Sequence, residues 1–361
     1  MIEGAKEKLN NYIEEGKRNV SSVLTEVQEE FKNREDIIAK PVVIDFTVGE
    51  WGGGVGTNIG VKVNDKLLQL TKHSESQLYA RTGVPAQYAE KLYELKEFGL
   101  LRDNLKTMIT KQCSDGLLFR HVGATAKGIL SPSYRRMDAA PIFEAYVQSA
   151  LDSKFVPYKA HNTEYRYQIQ FLYPEIFQPT ENEYIVYGVS LTTGDYGSQA
   201  LEIELLALRI MCRNLAVGYD LLRKVHLGKR FQFNENEETV LLSDKTHLLD
   251  SQAIASAVSD VTKSSVMQIE HIHKVVQDSV SKEVNIKDAI ASLRKKGVSK
   301  GIAEKIKTTY EMEAPIEVLP QQKGLWRLSN AISLVAQGIP EYDKRIDTQK
   351  LAMEVILNEA A

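Results

Sequence analysis

The stretch Tyr165-Arg166-Tyr167-Gln168-Ile169-Gln170-Phe171-Leu172-Tyr173 decides the fold class of this chain. Aromatic and aliphatic residues alternate in it with polar ones, and a period of two is typical of a β-strand with one buried face. The β-branched and aromatic run Tyr184–Leu191 predicts a second strand. The next segment, Ala200–Val217, is rich in leucine and isoleucine and predicts a mostly buried helix. The middle of the chain is therefore expected to be a strand pair followed by a long helix.

Strand and helix patterns also alternate on the N-terminal side of this stretch. Capping residues or prolines ahead of apolar helical patterns predict two helices between about 75 and 113 and one from Pro141 to about Leu151. The glycines of 52–56 lack the Gly-Lys-Ser/Thr ending of an ATP-binding loop and are interpreted as a turn. Short β-branched or apolar runs predict strands at 42–48, at 59–70 with a turn at 64–65, and at 117–122.

The two ends of the chain carry helical patterns only. Residues 1–39 predict one or two amphipathic helices in a peripheral arm. A polar run near 235–245 indicates a boundary, and the helices expected beyond it lie at 246–280, 286–311, 323–337 and 344–358. The predicted class is α+β, with an antiparallel β-sheet core, packed helices and an all-helical C-terminal region. Its parts are a helical N-terminal arm over 1–39, an α+β core domain over 40–240 and a helical region over 241–361.

The composition limits the classes of function. The 361 residues are 43% hydrophobic and 26% charged, with a formal net charge of −3, so a nucleic-acid-binding role needs a local basic surface. Cys113 and Cys212 belong to no Cys-x-x-Cys pair, which argues against a thiolate zinc site and a disulfide framework. The first residues lack a signal-peptide pattern, and no segment approaches 18 consecutive apolar residues. We therefore expect a cytoplasmic protein of a bacterial host cell, with no membrane partner.

Motifs for catalysis and metal binding are weak. No Gly-x-Ser-x-Gly motif occurs, and no Asp/Glu cluster follows a predicted strand, as a Mg²⁺-dependent nuclease needs. His271 and His273 are two residues apart, which puts them on different faces of a helix and not in the i, i+4 arrangement of a metal pair. We expect no catalytic residue, no metal and no cofactor, although ligands that converge from distant segments leave an enzyme open.

Two acid-poor stretches point to nucleic acid. No acidic residue lies between Asp115 and Asp138, and Asp220 is the only one between Arg209 and Arg230. Arginine and lysine bind phosphates, and aromatic rings stack on bases, when proteins hold a single strand without reading its sequence. Arg209 and Arg213 are four residues apart and are expected on one face of a helix. The alternative is that these arginines form ion pairs at a helix–sheet seam and the tyrosines are core residues. The basic run Arg294–Lys300 is a weaker candidate, since most such runs are solvated helix ends.

Five motifs stand out along the chain, namely Val84-Pro85 within Leu78–Leu92, Ser131-Pro132-Ser133-Tyr134-Arg135-Arg136-Met137-Asp138, Asp195-Tyr196-Gly197, Arg209-Ile210-Met211-Cys212-Arg213-Asn214 and Leu325–Ala331. Together they resemble a family that is widespread in phages and plasmids, labelled phage/plasmid-like protein and known as a domain of unknown function. The resemblance covers about 40 to 340 and implies a mobile-element protein of DNA recombination or repair. The predicted core is also similar in outline to the single-strand annealing proteins of phages, which form rings and hold DNA in a basic groove.

Together these observations predict a non-catalytic protein that binds and anneals single-stranded DNA as a homo-oligomer in phage or plasmid recombination. One alternative is a nucleic-acid-processing enzyme that uses Asp138, Asp195 or histidines as acid–base groups. Another is an interaction protein whose helical C-terminal half binds a host protein. The residues expected to contact DNA are Arg120, Lys127, Arg135, Arg136, Arg166, Arg209 and Arg213 for phosphates, with Tyr134 or Tyr165 stacking on bases.

Overall fold

The computed structural model describes residues 2–49, 58–224 and 243–360. The described residues form two β-sheets covered by helices, and those from 243 onward are helical and irregular only. This arrangement confirms the predicted α+β class. The glycine turn expected at 52–56 lies outside the described residues, as does the boundary expected near 235–245 up to residue 242, and α6 begins at Asp244.

The first sheet has the strand order β1-β5-β6-β4-β3-β2, and only its β4–β6 pair is parallel. Three helices cover one of its faces, where two had been expected, because Gly83 and Lys96 adopt left-handed conformations that end the first two. The strands are β1 (Arg34–Ala39), β2 (Ile44–Val48), β3 (Ile59–Val63), β4 (Lys66–Leu70), β5 (Leu117–Val122) and β6 (Thr125–Leu130), and the helices are α2 (Lys72–Thr82), α3 (Ala86–Glu94) and α4 (Phe98–Gln112).

The N-terminal arm is one helix followed by a strand. Helix α1 spans Ile2–Asn33, and the remaining residues of the expected helical arm form β1, so helix was the wrong prediction for 34–39. Strand β1 pairs antiparallel with β5, from Arg34 opposite Val122 to Ala39 opposite Leu117. This pairing joins segments far apart in sequence, and a local helical pattern does not reveal it.

The second sheet is antiparallel throughout, in the order β11-β10-β9-β8-β7, and helix α5 (Ala139–Asp152) packs against it. Its strands are β7 (Val156–Asn162), β8 (Tyr167–Leu172), β9 (Ile185–Thr193), β10 (Leu201–Arg209) and β11 (Asn214–Lys224). The helix predicted over 200–217 was wrong, because this segment is the β10–β11 hairpin. All nine residues of β10 are buried, so both faces of the strand are covered, and its apolar run Leu205–Leu208 does not show the alternation that marks a half-exposed strand.

The C-terminal helices pack on the second sheet. Residues of α6, α7, α10 and α11 share one hydrophobic core with Phe143 and Ile203. No helix among the described residues is long and apolar enough to cross a membrane. Short breaks divide two of the predicted helices, and the observed ones are α6 (Asp244–Ser264), α7 (Ile269–Ser281), α8 (Ile286–Lys295), α9 (Lys300–Glu311), α10 (Leu325–Gln337) and α11 (Tyr342–Ala360).

Helix α1 crosses the edge of the second sheet at Gly16. A Cβ atom at this position would fall on the carbonyl oxygen of Pro157 and 2.6 Å from that of Tyr158, so only glycine permits the close approach. Before the crossing, Leu9 packs on one face of the sheet, and after it Val20 packs in the core on the other. The helix therefore ties the two faces together around the edge strand β7.

Candidate anion-binding crevice

One face of the second sheet is half polar and half apolar. Directly opposite residues of an antiparallel sheet point to the same face, so the register defines rows across it. Two rows are polar, and the neighbouring row is mainly apolar and is covered by α1. The polar rows run His161–Gln168–Thr192–Glu202 and Lys159–Gln170–Ser190–Glu204.

Helix α11 covers the polar rows through hydrogen bonds and ion pairs. Tyr342 donates its hydroxyl to Gln168 Oε1 at 2.6 Å, and the ring of His161 stacks on the Tyr342 ring with centroids 3.6 Å apart. Lys350 forms ion pairs with Glu202 and, at 2.9 Å, with Glu204. A polar surface thus lies inside the protein, between a sheet and a helix, where apolar packing is the rule.

A crevice of about 310 Å³ opens on this surface between α1 and α11. Its floor includes Gln170, and the closest approach of α1 to the sheet, at Gly16, lies beside it. Its walls are Glu15 and Asn19 of α1, Tyr158 and Lys159 of β7, Gln170 of β8, Arg213 and Leu215 of the hairpin, Gln337 of α10, and Tyr342, Arg345, Ile346 and Gln349 of α11.

Three cations line the crevice against one acid. Glu15 forms an ion pair with Arg213 at 3.0 Å, whereas Lys159 and Arg345 form no ion pair within the described ranges. The Arg345 guanidinium is held by the carbonyl oxygen of Ile339, which accepts from Nε at 3.0 Å and from Nη2 at 2.8 Å. Burial, and then repulsion from Arg345 and Arg213, lowers the pKa of Lys159. This excess of positive charge favours an anion.

The crevice also contains buried acceptors that lack a donor. The side-chain oxygens Oε1 of Gln170 and Gln349 have no hydrogen-bond partner in the described structure, and both residues are at most 5% exposed. Native proteins satisfy most buried polar atoms, so such atoms at a crevice are a sign of a ligand or of ordered water. The crevice therefore contains both cations that would bind a phosphate and acceptors that would receive hydrogen bonds from N–H groups.

The titratable groups around the crevice suit binding better than acid–base chemistry. Burial, and then the charges of Lys159 and Arg345, lowers the pKa of His161 to about 3, so its imidazole is neutral at physiological pH. Burial raises the pKa of the Tyr158 hydroxyl. A general acid or base works best with a pKa near the operating pH, and neither group has one.

Three of the predicted DNA contacts are buried in the structure. Arg120 is 1% exposed and donates to Asp36 at 2.9 Å, to Asp138 at 2.8 Å and to the carbonyl oxygen of Asp195. Tyr134 lies beside it, with the guanidinium 5.9 Å from the ring centroid. Arg209 pairs with buried Glu183 at 3.3 Å. These side chains follow the alternative that the sequence left open, ion pairs at seams between elements.

The expectation that Arg209 and Arg213 share a helix face was wrong. Arg209 ends β10, and Arg213 lies in the hairpin turn with a φ of 56°. The turn separates the two residues. Arg213, about half exposed, faces Glu15 and stacks its guanidinium over the ring of Tyr12 at 4.2 Å.

The remaining predicted contacts also have partners, and these partners lie outside the crevice as far as the structure describes it. Tyr165 stacks on His73, with ring centroids 5.0 Å apart. Arg213 is thus the only one of the nine predicted residues that lines the crevice, among the residues that the structure describes. The ion pairs are Lys127 with Glu30, Arg135 with Asp250, Arg136 with Asp36 at 3.2 Å, and Arg166 with Asp343 at 3.2 Å and Asp347 at 3.0 Å.

Asp138 and Asp195, the acid–base candidates, belong to a balanced cluster between the two sheets. Arg34, Arg120 and Arg136 face Asp36, Asp138 and Asp195 in it. Burial alone would raise the pKa of Asp138, but Arg120 and Arg34 overcome it and lower that pKa. His273, another candidate, contacts the Tyr187 hydroxyl at 3.0 Å. Within the described ranges, no three His, Cys, Asp or Glu residues form a group that could hold a metal.

Sequence reasoning missed Lys159, Arg345, Gln170 and Gln349. Lys159 is the one cation of a short strand, and Arg345 lies between Asp343 and Asp347, so neither belongs to a long acid-poor stretch with several cations. The one signal in the sequence was Gln168 and Gln170 at alternate positions of a strand that had to lie inside an α+β core. No protein-family model, curated protein or solved structure matches the chain.

Proposed function

We propose that the protein binds single-stranded DNA without catalysing a reaction on it, and that the crevice holds one nucleotide unit of the strand. The observation that carries the proposal is the convergence of Lys159, Arg213 and Arg345, from three separate elements, on a crevice where Glu15 is the only acidic residue among the described lining residues. Phosphate oxygens are the anionic groups that such cations hold in nucleic acids.

The size of the crevice favours a single strand over a duplex. Its volume of about 310 Å³ is at the lower end for ligand pockets, which begin near 300 Å³. One unstacked nucleotide fits this space, whereas a base in a duplex stays paired and stacked outside it. Tyr158 and Tyr342 supply aromatic rings at the same place, as single-strand binding requires.

Annealing and a role in phage or plasmid recombination belong to the same proposal. We include a homo-oligomer in the proposal, because successive copies would place their crevices along one strand and so increase the overall affinity. In this proposal the arginines of the charged cluster between the two sheets, such as Arg120, stabilise the fold of each subunit and do not contact the DNA strand.

The test is fluorescence anisotropy of a labelled single-stranded oligonucleotide at about 50 mM and about 200 mM salt. We expect binding that weakens with salt, and the double variant Lys159→Ala/Arg345→Ala to bind at least about tenfold more weakly. The slope of log K against log salt should become shallower by about 0.7 for each phosphate that the variant no longer neutralises. Lys344→Ala is the matched control, since Lys344 is exposed on α11 and pairs only with Glu341 within the described residues.

Two outcomes contradict the proposal. Absence of binding at low salt overturns it, and so does binding that the double variant leaves unchanged. Calorimetry with deoxynucleoside monophosphates distinguishes a strand-binding protein from one that binds free nucleotides, because only the second binds the monomer as tightly as the strand. Strict dependence of strand cleavage on Mg²⁺ or Mn²⁺ favours the enzyme alternative instead.

A further inference from the structure

We infer that the crevice selects nucleotide units whose base carries an amino group, namely adenine, cytosine or guanine, over thymine and uracil. The inference rests on the proposed function and adds the chemistry of the base to it. Its evidence is the pair of buried acceptors, Gln170 Oε1 and Gln349 Oε1, that have no hydrogen-bond partner among the described residues.

A hydrogen-bond network fixes the orientation of the Gln170 amide. Gln168 Oε1 accepts from the Tyr342 hydroxyl at 2.6 Å and from Gln170 Nε2 at 3.3 Å. Gln168 Nε2 in turn donates to Thr192 Oγ1 at 3.2 Å. If the Gln170 amide turned over, its oxygen would face the oxygen of Gln168. The nitrogen of Gln170 therefore stays towards Gln168, and the oxygen remains as an acceptor.

The second acceptor, Gln349 Oε1, comes from the wall that α11 forms, and not from the floor. Gln349 lies on α11, one turn after Arg345, so its side chain and the guanidinium share a helix face. Both glutamine oxygens are already buried without a hydrogen bond among the described residues, so a ligand that donates an N–H group to them satisfies acceptors that are otherwise unfavourable. A ligand that fits must therefore present N–H donors near the glutamines and negative charge near Lys159, Arg213 and Arg345.

Nucleotides differ in these donors. Adenine, cytosine and guanine carry an exocyclic amino group with two hydrogens, whereas thymine and uracil have one ring N–H between two carbonyl oxygens. A carbonyl oxygen opposite a glutamine oxygen gives repulsion and no hydrogen bond. A site that is built to hydrogen-bond a group rejects the analogue that lacks it more strongly than a site that only excludes bulk.

Cytosine and thymine give the sharpest comparison, because both are pyrimidines of similar size. We expect the protein to bind oligo-deoxycytidylate at least about fivefold more tightly than oligo-deoxythymidylate of equal length, the lower end for one specific base contact. The flexible thymidylate strand is a good ligand for proteins that recognise strands by stacking alone. A preference for cytidylate thus points to hydrogen bonding.

The experiment measures this ratio by anisotropy for the native chain and its variants. Gln170→Leu removes one acceptor and should bring the ratio close to one. If this variant folds poorly, Gln349→Leu tests the second acceptor, which lies on α11. Gln170→Glu keeps acceptors and should retain the preference at lower overall affinity. Gln148→Leu is the control, since Gln148 lies on α5 and pairs with Asp152 on the surface.

The results separate the inference from the proposed function. A ratio that falls to about one in the leucine variants, with strand binding retained, supports the inference. Equal binding of both oligonucleotides by the native chain overturns the inference, while weaker binding by Lys159→Ala/Arg345→Ala still upholds the proposed function. Absence of any oligonucleotide binding overturns both.

Discussion

Lys159 of β7 lies directly opposite Gln170 of β8 in the antiparallel register, and both side chains line the crevice between α1 and α11. This pair places a cation with no carboxylate partner, within the described ranges, beside an amide oxygen with no donor. Among the described residues no hydrogen bond joins the Lys159 amine to this oxygen, and the amide nitrogen of Gln170 is directed to Gln168. The pair is complementary to a ligand that carries both a negative charge and an N–H group.

The charge of Lys159 should lower the stability of the free protein. Burial, then repulsion from Arg345 and Arg213, lowers the pKa of Lys159, so the charged amine is less favourable in the folded state than in the unfolded state. This penalty is present below the folded-state pKa and fades as the pH rises towards the ordinary pKa of lysine, about 10.4. We expect Lys159→Met to raise the free energy of unfolding at pH 7 by about 0.5–1 kcal/mol and to weaken oligonucleotide binding.

Urea denaturation at pH 7 and near pH 10 checks this prediction. The stability difference between Lys159→Met and the native chain should shrink at the higher pH. A less stable variant at pH 7 shows that Lys159 is a structural residue and not a strained binding group.

The seam between the two sheets should depend on the guanidinium of Arg120. Its removal leaves Asp36 and Asp138 without one of their partners in a buried site. We expect Arg120→Met to lower the free energy of unfolding by about 3–5 kcal/mol, and Arg120→Lys to restore little of it because a lysine lacks the planar fork. Arg102→Met is the control, since exposed Arg102 pairs with its neighbour Asp103 and the decrease should stay below about 1 kcal/mol.

The crossing of α1 over the sheet edge should tolerate no side chain at Gly16. We expect Gly16→Ala to lower the free energy of unfolding by about 1–3 kcal/mol, since a Cβ would force the helix away from Pro157. Gly4→Ala is a matched control on the same helix, with no atom near its Cβ, and should stabilise the protein by about 0.5–1 kcal/mol. Equal effects of the two substitutions in thermal denaturation would contradict the observed crossing.

Acid pH should weaken the contact of Glu30 with the body of the protein. Burial alone would raise the pKa of Glu30, but Lys127 and the hydroxyls of Tyr167 and Tyr196 lower it. A lowered folded-state pKa gives stability that is present above the unfolded value, about 4.3, and disappears as the pH falls. We expect Glu30→Gln to cost about 2–3 kcal/mol at pH 7 and much less near pH 3. Denaturation across this range checks it, with exposed Glu29→Gln as the control expected to change little.

Local patterns predicted a strand of the second sheet where apolar residues on one face of the strand alternate with polar residues on the other. Alternation over Tyr165–Tyr173 predicted β8, which the structure places at Tyr167–Leu172. The same reasoning failed over 200–217, because β10 is buried on both faces and its short apolar run Leu205–Leu208 does not distinguish a buried helix from a buried strand. The prediction of DNA contacts in the acid-poor stretches failed for Arg120 and Arg209 because it considered only neighbours along the chain. Arg120 and Arg209 find carboxylates that are distant in sequence, namely Asp36 and Glu183.

The sequence by itself determined the α+β class, most helices and strands, and the absence of the local motifs that mark common catalytic sites, since all of these depend on neighbouring residues. Only the tertiary structure decided which charges remain accessible to a ligand. Pairing of strands and packing of α1 and α11 bring Lys159, Gln170, Arg213 and Arg345 together, while they bury Arg120 against carboxylates. Electrostatic and hydrogen-bonding partners are set by distance in space, and spacing along the chain does not specify that distance.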